Sequence, residues 1–205
     1  MSYFTKTPKA AALVLLSSFV FALPVMAEQA KSHSSFQMPA YEQLKLDNGL
    51  TVFLLPQHEV PLITVQATVR AGAVNDKVAG LSQLTSQALL LGAGGKTKAE
   101  IEQLVDFLGA SLNSDGSMEG SSLRANFMAK DTEQMLAVLH SVLTQPSFDQ
   151  TEFDKLKARQ IAAVAQAKES PRMVMEQYFN KLVFGSHPYG NASSGTAESL
   201  KGISQ

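Results

Sequence analysis

Between Leu62 and Leu91 the chain changes its hydrophobic period, and this constrains the fold more than any other feature. From Leu62 to Arg70 apolar residues alternate. Ile63, Val65, Ala67 and Val69 share one side, as a half-buried strand requires. From Gly80 to Leu91 (GLSQLTSQALLL) the period lengthens, and Leu81, Leu84, Ala88 and Leu91 recur at helical spacing. A one-sided strand followed by a one-sided helix calls for a layered fold, with helix on sheet.

The rest of the chain repeats this theme. Tyr41 to Leu46 and Leu50 to Leu55 flank Asp47-Asn48-Gly49, a strong hairpin signal because Asn and Gly tolerate positive φ. Gly92, Gly94 and Gly95 stop the first helix, and Thr97-Lys98-Ala99-Glu100 is a capping box. It opens a second helix with Ile101, Leu104, Val105 and Leu108 inward, closed by Gly109. Ser111 to Asn126 is predicted as a hairpin whose turn is either Asp115-Gly116 or Glu119-Gly120.

Three helices are predicted next. Asp131 caps one carrying Met135, Leu136, Val138, Leu139 and Val142, which ends before Pro146. Asp149 and Glu152 open a long one through Phe153, Leu156, Ile161 and Val164, with Lys155 to Lys168 as its solvated face. Ser170-Pro171 starts a third containing Tyr178, Phe179, Leu182 and Val183, with Met173 and Met175 as core filling. Gly185 to Gly195 is a loop, and no closing element is expected beyond it. The fold class is α+β, an antiparallel β-sheet with helices packed on one face.

Residues 1–27 stand apart. Lys6 and Lys9 precede an apolar run from Ala10 to Leu23, followed by Val25-Met26-Ala27, the pattern of a secretory signal peptide. The run is shorter than the roughly 20 residues of a spanning helix, so no membrane span is expected after cleavage. The product would be exported, most plainly to a periplasm. Residues 28–40 are polar and patternless, a flexible lead-in, and residues 41–205 form the globular domain. Cleavage after residue 27 removes two of the 17 basic residues and none of the 18 acidic ones, leaving a net charge of −3. With no basic patch, nucleic acid is not a partner. The count of zero cysteines excludes thiol catalysis, disulfides and cysteine-ligated metals.

The helix at Gly80–Leu91 also has a polar flank. Gln83, Ser86 and Gln87 fall at i, i+3 and i+4, the layout a helix uses to hold a metal and a general base. Two amides and a hydroxyl cannot do that work, because zinc prefers thiolate, imidazole and carboxylate. The run Gly92–Thr97 (GAGGKT) is not a phosphate loop: position 90 is Leu where that pattern needs Gly, and the run follows a helix. It is a helix stop followed by a cap. His33, His58, His140 and His187 have no ligand-type partner at i+3 or i+4, and His140 is placed on an apolar helix at the boundary between core and surface.

Several segments together resemble the pitrilysin/insulinase-type zinc peptidases, the inverzincins. They are Asp47-Asn48-Gly49-Leu50, Arg70-Ala71-Gly72 before Gly80-Leu81, and Gly109-Ala110-Ser111-Leu112-Asn113. Gln145-Pro146-Ser147-Phe148 with Glu152-Phe153 follows, then His187-Pro188-Tyr189-Gly190 and Gly195-Thr196-Ala197-Glu198-Ser199-Leu200. Active members carry H-x-x-E-H on the helix after Gly-Leu. On this chain those places hold Gln83, Ser86 and Gln87, and the distant glutamate ligand falls at Val164, between Ala163 and Ala165.

The resemblance therefore implies a degenerate N-terminal half-domain, truncated relative to two-halved members, with no metal and no cofactor. It further implies a non-catalytic subunit that pairs with a zinc-bearing homologous peptidase subunit and helps enclose extended peptides. Such peptides add as a strand to a sheet edge, at positions matching Asn113 and Ser114. Two other readings are a scaffold protein of the cell envelope that binds no peptide, and an active zinc peptidase with an atypical metal set.

Overall fold

A computed structural model describes residues 39–205. The expected signal peptide and all but the last two residues of the lead-in, His33 included, lie outside the described residues. The chain divides into two units, Met1–Pro56 and Gln57–Gln205.

In the first unit β1 (Glu42–Lys45) pairs antiparallel with β2 (Thr51–Leu54). The hairpin expected at Asn48-Gly49 forms. Gly49 takes φ 88° and donates its N–H to the Leu46 carbonyl at 2.9 Å, while Asn48 Oδ1 accepts the Leu50 N–H at 3.1 Å.

The second unit runs β3 (Leu62–Val69), α1 (Leu81–Ala88), β4 (Gly92–Ala93), β5 (Lys96–Thr97), α2 (Lys98–Phe107), β6 (Ser111–Gly116) and β7 (Ser121–Met128). It continues with α3 (Thr132–Thr144), α4 (Gln150–Ala167), α5 (Pro171–Phe184) and α6 (Ala197–Lys201). Three strands make an antiparallel sheet in the order β3-β7-β6, with Val65 opposite Ala125 and Leu112 opposite the same alanine. Because side chains alternate across a strand, Leu123, Ala125 and Phe127 all point to one face. On that face they meet Ile101, Val105 and Leu108 of the second helix and Met135, Val138, Leu139 and Val142 of the third. Ile63, Val65, Ala67 and Leu112 complete this core. The opposite face is polar: Thr64, Gln66, Arg124 and Asn126 are exposed, with Gln66 accepting from Arg124 and Asn126 from Thr64. The one-faced α+β layer architecture is as the periodicity requires.

A second apolar cluster joins α1, α4 and the C-terminal segment. It consists of Leu84, Ala88, Leu91, Phe153, Leu156, Val164, Leu200 and Ile203. Burying this set contributes roughly 1.5–3 kcal/mol for each large side chain.

Local signals account for most boundaries. At the start of α2 the Glu100 N–H donates to Thr97 Oγ1 (3.3 Å) and the Thr97 N–H to Glu100 Oε2 (2.8 Å), the capping box expected there. Gly109 (φ 60°) ends that helix in a Schellman motif: its N–H donates to Asp106, and the Ala110 N–H to Val105 at 2.9 Å. Asp149 Oδ1 accepts the Glu152 N–H at 2.9 Å, as predicted for the start of α4.

Other expectations need correction. The run Gly92–Thr97 is not merely a stop and a cap, since Gly94 and Gly95, at φ 57° and 78°, turn β4 back onto β5 as a tight hairpin. Of the two turn candidates between β6 and β7, Asp115-Gly116 belongs to β6, and Glu119-Gly120 lies in the turn, which the Ser117 N–H closes by donating to the Gly120 carbonyl at 2.7 Å. Asp131 stands at the N-cap of α3 but bonds Lys130 Nζ (3.1 Å) instead of a helix N–H. Leu136 is exposed because it lies off the stripe of Met135, Val138, Leu139 and Val142. Val69 ends its strand beyond the apolar cluster and is exposed, and His140 faces solvent instead of sitting at a boundary. Met173 and Met175 are not core filling. No residue of α5 is buried, and Met175 is 69% and Leu182 84% exposed. The segment after it is not all loop, because Pro188–Gly190 forms a 3₁₀ turn and α6 closes the described chain.

Candidate functional site

Helix α1 is held at its N-terminus by residues distant in sequence. Gly72 lies against the β6–β7 turn, where a methyl group would stand 2.6 Å from the Met118 carbonyl oxygen. The Ala73 and Val74 N–H groups donate to Ser117 and Met118, both at 3.0 Å. Asp76 then reaches forward: its carboxylate accepts the Ser82 N–H at 3.0 and 3.1 Å and the Ser82 hydroxyl at 3.1 Å. A carboxylate bonded to a first-turn N–H complements the positive end of the helix dipole. Gly80, at φ 91°, is packed so closely on Gly195 that a Cβ would come within 2.9 Å of its Cα. Ser199 completes the clamp by donating to the Ala79 carbonyl at 2.8 Å. Thus the segments Arg70-Ala71-Gly72 and Gly195 to Leu200 have a shared task, fixing where α1 begins.

The helix presents three surfaces. Leu84 and Ala88 face the apolar cluster, where Val164 (6% exposed) meets them from α4. Ser86 is 2% exposed and donates to the Ser82 carbonyl at 2.7 Å, so its hydroxyl is bound within its own helix. Gln83 and Gln87 are half-buried and make no side-chain hydrogen bond among the described residues. They share a stripe with Leu90 at i, i+4 and i+7.

That stripe runs along β6. At one end a Cβ on Gly116 would lie 2.8 Å from the Gln83 Cα, so helix and strand touch backbone to backbone. At the other end Leu90 lines a groove of about 290 Å³ with Ser111, Leu112 and Asn113 of β6 and with Glu102, Val105 and Asp106 of α2. Strand β6 pairs only with β7 among the described residues, which leaves its second edge unpaired. Asn113 is exposed on it, whereas Ser114 points to the helix side, is 6% exposed, and has a hydroxyl without a partner.

These residues do not fit a zinc ion. Zinc sites use imidazole, thiolate or carboxylate donors. Here the four corresponding positions supply two carboxamides, a hydroxyl committed to its own backbone, and an alkyl group inside an apolar cluster. Among the described residues no three His, Asp or Glu side chains gather as a metal-binding group. His187 instead accepts the Tyr189 N–H at 3.3 Å and caps its own turn, and His58 is exposed.

The displaced carboxylate pKa values lie at helix starts. The Thr97 N–H, followed by its hydroxyl, holds the Glu100 carboxyl below the usual glutamate range. The Lys155 ammonium lowers Glu152, and the backbone N–H of Glu198 with the Thr196 hydroxyl lowers Glu198. These groups serve folding, and α1 carries no charged side chain.

Comparison with known proteins places the chain in a class. The insulinase family, peptidase family M16, matches residues 52–197, and the chain belongs to that family. The chain is 27% identical over 148 residues to the non-peptidase homolog YmxG of Helicobacter pylori, covering 71% of this chain and 34% of that protein. It is 21% identical to an uncharacterized zinc protease of Rickettsia bellii, covering 77% of this chain and 39% of the relative. It is also 22% identical to mitochondrial cytochrome b-c1 complex subunit 1 of Caenorhabditis elegans, covering 81% and 36%. The chain therefore spans between a third and two fifths of the length of these relatives.

Two solved structures share the fold. The inactive M16 peptidase domain of Pseudomonas fluorescens superposes with TM-score 0.77 at 23% identity, over 80% of this chain and 40% of that one. A protease of Helicobacter pylori gives 0.75 at 17% identity, over 82% and 41%. The chain is a degenerate, pitrilysin-like member of the family, keeping its framework without its zinc donors.

Sequence reasoning found the helix and its polar flank but missed the residues that hold them. Asp76 carried a signal, an acidic residue shortly before a helix that starts at Gly80 without a capping side chain. Thr196 with Ser199 carried another, and these two form a capping pair in α6 at 2.8 and 3.1 Å. The groove beside β6 had none, because its walls come from three separate segments.

Proposed function

We propose that this chain is a non-catalytic subunit of an exported peptidase assembly, which pairs with a zinc-bearing homologue and helps to enclose extended peptides. One observation carries this reading: α1 keeps its place against β6 and α4 while every zinc-donor position has lost its donor. A framework retained after its chemistry is gone suits a role in binding and closure. The names of two similar proteins, a non-peptidase homolog and an inactive M16 domain, support the loss of catalysis. The match to a cytochrome b-c1 complex subunit supports membership of a larger assembly.

Peptide capture would use the free edge of β6 at Asn113 and Ser114, where an added strand gains main-chain hydrogen bonds. Export rests on Lys6, Lys9 and the apolar run Ala10–Leu23, with Val25-Met26-Ala27 as the cleavage site. Among the described residues no helix is long and apolar enough to cross a membrane.

The test is co-expression with a homologue that carries an intact H-x-x-E-H. The expected result is a stable complex that cleaves unstructured peptides faster than the homologue alone. If the chain neither associates with the homologue nor changes its rate, the pairing is wrong. A stable envelope complex with no peptide affinity would favour the scaffold reading instead.

A further inference from the structure

We infer that the emptied zinc helix is a peptide clamp, in which Gln83 and Gln87 grip the main chain of a strand added to β6. This rests on the reading that β6 accepts extended peptides, and it names the atoms that are recognised. Each carboxamide offers one acceptor and two donors. A peptide group offers one of each, so a free carboxamide is its complement.

Three observations converge on the same place. Gln83 and Gln87 lie one turn apart, half-buried, with no side-chain partner among the described residues. With no partner inside the protein, both amides are free to bond an incoming ligand. Next, the stripe Gln83-Gln87-Leu90 lies along a strand whose outer edge is unpaired, from Gly116 at one end to Leu112 and Asn113 at the other. Last, the hydroxyl of Ser114, a residue 6% exposed, is buried on the helix side of β6 without a partner. Unpartnered polar groups along one open edge suit a ligand with alternating N–H and C=O groups, which is an extended backbone.

The occupant is thus defined by its backbone. Neutral amides neither attract nor repel charged side chains strongly, so the clamp tolerates sequence. Hydrogen bonds to a carbonyl from a carboxamide also lack the polarising strength of a zinc ion, so the bound peptide is held without being cut. The loss of the metal then converts a cleaving site into a retaining one.

The test measures binding of a labelled, unstructured peptide of about ten residues to the full chain by fluorescence anisotropy. Four protein forms are compared: unaltered, Gln83→Met with Gln87→Met, and each of the two single changes. Methionine keeps the volume and removes the hydrogen bonds, and circular dichroism checks the fold. The double variant is expected to bind about tenfold more weakly, as the loss of two such bonds implies. A peptide N-methylated at alternate residues is expected to bind the unaltered chain about tenfold more weakly, and this penalty should shrink in the double variant. Unchanged affinity in a folded double variant would overturn the clamp while leaving peptide capture standing. Failure of the unaltered chain to bind any peptide would overturn both.

Discussion

The two sides of α1 have been treated differently. On one side Leu84 and Ala88 are almost wholly buried against Val164, Leu200 and Phe153, and the packing is that of an ordinary core. On the other, Gln83 and Gln87 stand half-buried and unpartnered beside an open strand edge. The contrast teaches that position and chemistry are separable in this fold. Val164 shows it most clearly. At the position where the family resemblance puts the distant ligand, it packs with Leu84 and Ala88 in an apolar cluster.

The comparison can be broken most forcefully from the apolar side. Leu84→Ala removes a fully buried side chain at the centre of the second cluster and is expected to cost about 3–5 kcal/mol in denaturant unfolding. Val164→Glu places a carboxyl group in an apolar setting. It should destabilise by about 2–4 kcal/mol, because the carboxylate is buried without a partner. That loss should grow as pH rises through the carboxyl's raised pKa, since burial disfavours the charged form. A small or pH-independent cost would mean that position 164 is wetter than its packing indicates.

A smaller effect separates helix capping from site chemistry. Thr97→Ala deletes the cap of α2 and is expected to cost about 1 kcal/mol. The same box gives a pH signature. Glu100 is held below its ordinary range in the folded chain, so its contribution is present at neutral pH and is lost as pH falls through that lowered value. Glu100→Gln should therefore flatten part of the acid limb of the stability curve. The smallest effect belongs to the polar flank: Gln83→Met with Gln87→Met should leave stability within about 0.5 kcal/mol. A large loss there would show that the amides serve the fold.

The fold was legible wherever a local rule decided the outcome. Asn48-Gly49 and the Thr97–Glu100 box needed only their neighbours, and they formed as read. The polar flank of α1 was legible from spacing, as was the burial of Val164 on the inner face of α4. Illegible features were those set by distant partners. Met175 and Leu182 have the composition of a core, yet nothing in the described chain covers them, and periodicity cannot report whether a partner exists. The β6–β7 turn offered two Gly-containing candidates, and the close contact of Gly116 with Gln83 committed that glycine to the strand instead. Asp76 acts on α1 from the loop before it, and Ser199 from α6, through contacts that no periodicity encodes.

The central claim is that α1 has kept its position and lost its catalysis. Its most direct test is incubation of the purified chain alone with unstructured peptides, with and without a zinc chelator. No cleavage that the chelator abolishes is expected, because the four donor positions hold Gln83, Ser86, Gln87 and Val164. Sustained cleavage that the chelator stops and added zinc restores would contradict it.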